Sequence, residues 1–221
     1  MVEVSTSILS VEKEGCIQKF YDIECAGTNY FHIDVMDGKF VKNNTVKIME
    51  EYTNYIKQIS NTKIDVHLMV EDVEKFVKEY ADMEVDSITF HIESVKDQKE
   101  VLNIIKYIKD KNIQVGLSIK PETENKEIYE YLPYIHKVLV MSVEPGEGGQ
   151  KFIENTIEKV KNLSNYIEEN KTEYIFYYHY SYKGGSVEQL ELEVIGDNEA
   201  KKNNTESRVG ETWILTRKDL S

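Results

Sequence analysis

Three histidines and one aspartate are the side chains best suited to chemistry in this chain of 221 residues. His32 and Asp34 lie two apart in Tyr30-Phe-His-Ile-Asp-Val-Met-Asp-Gly38, so an extended backbone projects both from one face. His67 occupies a similar place in Ile64-Asp-Val-His-Leu-Met-Val70, and His91 ends Ile88-Thr-Phe-His-Ile-Glu93 a little further on. Taken singly, a histidine on an apolar strand reads as a satisfied core or rim residue. Taken together, His32, Asp34 and His67 offer two neutral imidazoles and a carboxylate. That donor set suits a divalent ion such as Zn²⁺, Fe²⁺ or Mn²⁺ with positions left for a substrate oxygen. His136 and His179 are expected to be structural.

A second signal is Val140-Met-Ser-Val-Glu-Pro-Gly-Glu-Gly-Gly-Gln-Lys-Phe-Ile153, in which Gly146, Gly148 and Gly149 follow a strand end and precede a helix. Glycines let backbone N–H groups approach an anion closely, and the following helix start adds positive dipole, so the loop fits a phosphate or a flexible lid. Glycine-rich turns without a ligand are as common. Met36, Met69 and Met141 each fall near the end of a different strand. Alone they are gap-filling core residues. If the strands close into a barrel they line one mouth, where an apolar wall is expected to raise the pKa of a carboxylate and ready it for proton transfer.

Strands are predicted at Val2 to Leu9, Tyr30 to Met36, Lys63 to Val70, Ser87 to His91, Gln114 to Ile119 and Lys137 to Val143. Helices are predicted at Glu12 to Ala26, Val46 to Ile59, Val73 to Ala81, Gln98 to Lys109, Lys126 to Leu132 and Glu154 to Glu168. Regular β-α alternation with short connections implies parallel strands joined by right-handed crossovers, in an open doubly wound sheet or a closed (β/α)8 barrel. Spacing does not choose between them. After about Ile175 the texture changes. Glu173 to Tyr182 carries five tyrosines and reads as a seventh strand, Gly196 to Gly210 is polar, and Glu211 to Thr216 is a short apolar run. Residues 1–175 are therefore expected to form the barrel core of six β-α units, and residues 176–221 an atypical segment that completes it or leaves it irregular. Exposed edges on the first and sixth strands would have to be covered by the Tyr-rich segment, the terminal strand or a second copy of the chain.

Composition bounds the partners. With 27 basic against 40 acidic side chains the formal charge is −13, which repels phosphate backbones and anionic lipid, so neither nucleic acid nor a membrane surface is expected. No apolar run approaches the roughly 18 residues of a membrane span. Met1-Val-Glu-Val-Ser lacks the basic and apolar start of a signal peptide, giving an expectation of a cytoplasmic protein. Cys16 and Cys25 match no metal or disulfide pattern and are expected to be ordinary buried or half-buried thiols.

Read jointly, Ser7-Ile-Leu-Ser10, Phe31-His-Ile-Asp-Val-Met-Asp-Gly-Lys-Phe-Val41, Asp65-Val-His-Leu-Met-Val70, Thr89-Phe-His-Ile-Glu93, Val115-Gly-Leu-Ser-Ile-Lys-Pro-Glu-Thr123 and Val138 to Phe152 resemble the ribulose-phosphate 3-epimerase family, in the family's order, over about the first 170 residues. The resemblance implies a (β/α)8 TIM barrel of the ribulose-phosphate-binding type, serving carbohydrate metabolism in the pentose phosphate pathway. It would interconvert D-ribulose 5-phosphate and D-xylulose 5-phosphate at carbon 3. It implies a divalent metal on His32, Asp34, His67 and a second aspartate, steadying an enediolate. Asp34 would be one acid/base and Ser7 a substrate contact. Met36, Met69 and Met141 would pack around the intermediate, with His67 and His91 at the mouth and Gly146, Gly148 and Gly149 in the loop over the phosphorylated ketose.

The family's aspartate-Gly-Gly string on strand seven and Gly-Ser phosphate turn on strand eight have no counterpart after Ile175. Gly184-Gly185 lacks a preceding aspartate, and Asp197 in Glu193-Val-Ile-Gly-Asp197 comes late. Lys42, Lys120 and Glu147 stand where proline, asparagine and an aromatic are usual. Two alternatives therefore stay open: a homologue that binds metal or ligand without turnover, and an epimerase for a related hexulose 6-phosphate.

Overall fold

In a computed structural model of the chain, residues 3–170 are described throughout, together with the backbone of residues 174–180 and 211–217. Six parallel strands alternate with helical segments in the predicted order: β1 (Val4–Ser7), β2 (Tyr30–Met36), β3 (Lys63–Met69), β4 (Ser87–His91), β5 (Gln114–Ile119) and β6 (Lys137–Val140). The α-helices between and after them are α1 (Cys16–Cys25), α2 (Val46–Ile59), α3 (Val73–Asp82), α4 (Gln98–Asp110) and α5 (Asn155–Glu169). Local chemistry sets the boundaries. The Asp72 carboxylate accepts the Lys75 N–H at the start of α3, and Asp97 accepts the N–H groups of Lys99 and Glu100 at the start of α4. The segment expected to be a helix over Lys126 to Leu132 is instead a 3-10 helix over Asn125–Tyr134. It holds Pro133, which has no N–H to donate to a longer turn.

The described strands close in the order β1-β2-β3-β4-β5-β6, then β8 (Glu211–Arg217), then β7 (Tyr174–Tyr180), back to β1. β7 runs parallel to β1, with Ser5 opposite His179, whereas β8 lies antiparallel to both β6 and β7. The edges of β1 and β6 are thus covered by the Tyr-rich strand and the terminal strand. The reversed direction of β8 departs from an all-parallel barrel and follows from where the chain re-enters. Tyr180 at the end of β7 pairs with Glu211 at the start of β8, so the connection leaves and returns at one rim, as a parallel crossover does not.

Alternation within each strand sorts the side chains. Phe31, Ile33 and Val35 of β2, Ile64, Val66 and Leu68 of β3, Ile88 and Phe90 of β4, and Val115, Leu117 and Ile119 of β5 join the helix residues in one buried apolar cluster. The residues between them, His32, Asp34, Asp65, His67, Ser87, Thr89, His91 and Ser118, are just as buried and polar. The apolar core therefore lies between sheet and helices, and the inward-facing side chains of β2 to β5 are mostly polar where Val, Ile and Leu are usual. Of the two thiols, Cys16 is buried as expected, but Cys25 is exposed because it sits in the last turn of α1 on the solvent face.

Candidate active site and metal centre

β2 presents His32 and Asp34 and β3 presents His67, with Asp34 opposite His67 in the parallel register. One donor atom from each lies within 4.8 Å of the others, and all three side chains are buried. His32 Nε2 is 3.3 Å and His67 Nδ1 3.4 Å from the same oxygen, Asp34 Oδ1. The second carboxylate oxygen accepts the Ser7 hydroxyl at 2.7 Å, and Thr45 Oγ1 donates to the Asp34 carbonyl.

The far nitrogen of each imidazole is held by the protein. His32 Nδ1 meets Asp65 Oδ2 at 2.9 Å. His67 Nε2 meets His91 Nε2 at 2.9 Å, and His91 Nδ1 meets Glu93 Oε2 at 3.1 Å. Asp65 and Glu93 are acceptors when ionised, which fixes the order of protons. His91 donates Nδ1–H to Glu93, His67 donates Nε2–H to His91, and His67 Nδ1 is left as a lone pair. That lone pair faces a carboxylate oxygen at 3.4 Å, a contact a cation between them would relieve. The donor set therefore fits a divalent ion, with Asp65 and Glu93 as the outer carboxylates that orient its imidazole ligands.

Electrostatics agree with that arrangement. Burial works against a charge on His32, but Asp34 and Asp65 outweigh it and raise the imidazole to about 9, so a proton sits where a cation would otherwise bridge the two. Burial and the neighbouring His91 take His67 down to about 4, and burial lowers His91 as well. Burial alone would raise Glu93, yet the His91 N–H, Thr123 and the Lys120 N–H bring it down to about 2. The expected rise in the pKa of Asp34 is not found. Burial does push it up, but the charge of His32 beside it holds the carboxyl well below the usual range, because the methionines are outweighed by an imidazolium in contact.

Above the triad a cavity of about 40 Å³ is walled by Leu9, Asp34, Met36, His67, Met69 and Met141 and closed by the loop from Val143 to Gln150. The three methionines thus share one mouth, as the barrel reading requires. Gly146 has φ +110°, and a Cβ there would come within 2.8 Å of Val41 Cβ. Its carbonyl accepts the Asn43 side chain at 2.7 Å. The loop is seated on the segment after β2 by a close approach that only glycine permits. Glu147, Gly148 and Gly149 line the same cavity, and Glu147 and Gly149 are also exposed to solvent. His91 stacks on His67 with ring centres 5.0 Å apart and lies against Phe40, whose ring also carries the Lys120 ammonium at 4.2 Å. His136 Nδ1 accepts the Val115 N–H, a structural contact. The side chain of His179, Gly184, Gly185 and Asp197 lie outside the described residues.

A family model for the ribulose-phosphate 3 epimerase family matches residues 3–182. The chain belongs to the ribulose-phosphate 3-epimerase family. Among relatives, ribulose-phosphate 3-epimerase of Methanocaldococcus jannaschii is 39% identical over 170 residues, 77% of this chain and 70% of that protein. The enzyme of the same name from Bacillus subtilis is 31% identical over 169 residues, 76% of each chain. That from Eremothecium gossypii is 36% identical over 160 residues, 65% of this chain and 66% of its own. As a member of an isomerase family with a barrel fold, the chain carries the quoted motifs on β1 to β6, and the family match ends at the last residue of the Tyr-rich stretch.

Asp65, Glu93 and Lys137 were not singled out from the sequence. Asp65 carried a usable signal, since it precedes His67 by two and shares its face. Glu93 likewise follows His91 by two. Lys137 carried none, because the carboxylate it binds is 72 positions away.

Proposed function

We propose that this chain catalyses epimerisation at carbon 3 of a ketose phosphate, D-ribulose 5-phosphate to D-xylulose 5-phosphate, with a divalent ion held by His32, Asp34 and His67. The observation that carries this reading is the convergence of those three donors beneath a methionine-lined cavity, in a chain whose relatives bear the name of that enzyme. Asp34 is ionised, and its carboxylate can take the proton from carbon 3, which is acidified by the adjacent carbonyl at carbon 2. Ser7, bonded to the other oxygen of Asp34, fixes the direction of attack and can move to a substrate hydroxyl. Met36, Met69 and Met141 exclude water from the flattened carbon and strengthen every charge interaction beside it. His32, Asp34 and His67 would hold the divalent ion, which would supply the positive charge that makes a proton next to a carbonyl removable. The loop of Gly146, Gly148 and Gly149, which lines the cavity, would close over the phosphorylated sugar.

Inversion needs a proton delivered from the opposite face. No aspartate-Gly-Gly string follows Ile175, and this favours a second reading in which Asp34 exchanges the proton without inverting the carbon. One experiment separates the two. Purified chain with Mn²⁺ and D-ribulose 5-phosphate in D₂O is expected to yield D-xylulose 5-phosphate deuterated at carbon 3. Deuterium entering recovered ribulose 5-phosphate alone supports the second reading, and neither product nor exchange from folded, Mn²⁺-loaded protein overturns both. Hexulose 6-phosphate is the comparison substrate.

A further inference from the structure

A buried lysine inside the barrel is not accounted for by the proton-transfer chemistry. Lys137 opens β6, and its side chain is 8% exposed. Its ammonium donates to Asp65 Oδ1 on β3, across the interior. The other oxygen of Asp65 receives His32 Nδ1–H at 2.9 Å and the Ser5 hydroxyl at 3.3 Å. Four strands, β6, β3, β2 and β1, thus meet at one carboxylate. The path for the lysine is made by Gly116 of β5, which pairs directly with Lys137. A Cβ at 116 would lie 2.9 Å from Lys137 Cγ and 2.3 Å from Thr89 Oγ1.

We propose that the Lys137–Asp65 pair is the positioning device for the metal ligand His32. A buried carboxylate with a single imidazole neighbour could rotate about χ2 and bond through either oxygen. With Oδ1 pinned by Lys137, Oδ2 is turned toward β2, and His32 is held with Nδ1–H on Asp65 and Nε2 directed at Asp34. The ring plane, and hence the direction of the ligand lone pair, is set from the far side of the barrel. Lys137 touches neither the triad nor the cavity, so it acts only through Asp65 and His32. The inference rests on the proposed metal reading, and its test keeps the two apart.

The test is titration of the purified chain and its variants with Mn²⁺, read by the free-ion resonance, with fold followed by circular dichroism. Wild type is expected to bind one ion per chain. Lys137→Met, of similar length without the charge, is expected to keep its fold and bind Mn²⁺ about 10- to 100-fold more weakly, the usual loss for an outer-shell partner. Excess Mn²⁺ is expected to restore kcat with KM for the sugar unchanged. If Lys137→Met does not fold, Lys137→Met/Asp65→Leu replaces the whole buried pair by apolar groups and removes the stranded charge. It is expected to fold and still bind weakly, with the His32 imidazole ¹⁵N shifts averaged between tautomers. Unchanged affinity in a folded variant, single or double, overturns the inference and leaves the metal reading standing. A wild-type chain that takes up no Mn²⁺, Fe²⁺ or Zn²⁺ overturns the metal reading and the inference with it.

Discussion

At the scale of single residues, the proposed metal reading makes one proton and one ion compete for the same place. His32, raised to about 9 between two carboxylates, is protonated at neutral pH until an ion arrives. Its folded pKa lies above the ordinary histidine value, so below pH 9 ion binding must expel a proton. Mn²⁺ affinity is therefore expected to rise with pH up to about 9, by roughly tenfold per unit. Close to one proton should be released per ion at pH 7, which calorimetry in buffers of different ionisation enthalpy measures directly. Asp34→Asn keeps the size and removes both the charge and the base. Mn²⁺ affinity should fall by about 10- to 100-fold or more, and carbon-3 deuterium exchange should be lost even at saturating Mn²⁺. Exchange surviving in that variant would reassign the base.

Elements hold these residues through contacts between neighbouring strand ends. Glu93 follows β4 and accepts the N–H of Lys120 at the end of β5, as well as Thr123 and His91. Its pKa is brought down to about 2, below the unfolded value near 4.3. The stabilisation is therefore complete above about pH 4.5 and is lost as pH falls through 2. It amounts to at most about 3 kcal/mol, less what the partly exposed side chain gives up to solvent screening. Urea unfolding at pH 7 and pH 3 should show wild type losing more stability than Glu93→Gln over that interval. Gly116 in β5 makes a complementary case. Gly116→Ala would force Thr89 and Lys137 aside and is expected to cost about 1 to 3 kcal/mol by overpacking, seen as a lowered thermal midpoint.

For the whole molecule, closure is the question, because six parallel strands leave two open edges. β7 covers β1, and β8, running the other way, joins β6 to β7. Truncation after Asn170 would expose both edges and is expected to give aggregated or domain-swapped material in size-exclusion chromatography. A monodisperse, Mn²⁺-binding monomer from that truncation would show that closure is dispensable for the metal centre. Among the described residues no helix is long and apolar enough to cross a membrane, and the formal net charge of the chain is −13.

Much of this was legible in the sequence for reasons of period. β2, β4 and β5 and the helix α2 begin and end where alternation and 3.6-residue spacing place them, because one buried face imposes a repeat on the chain. The likeness of His32, Asp34 and His67 to a ligand set could be read for the same reason: two residues on one strand share a face, and a similar motif on the next strand comes into register beside them. What period cannot encode is distance across the barrel. The bond from Lys137 to Asp65 and the antiparallel entry of β8 arise between residues brought together only when the sheet curls shut, whereas the depressed pKa of Asp34 comes from His32 on its own strand and His67 on the next. The sequence determined which side chains face inward, and the tertiary structure decided which of them meet.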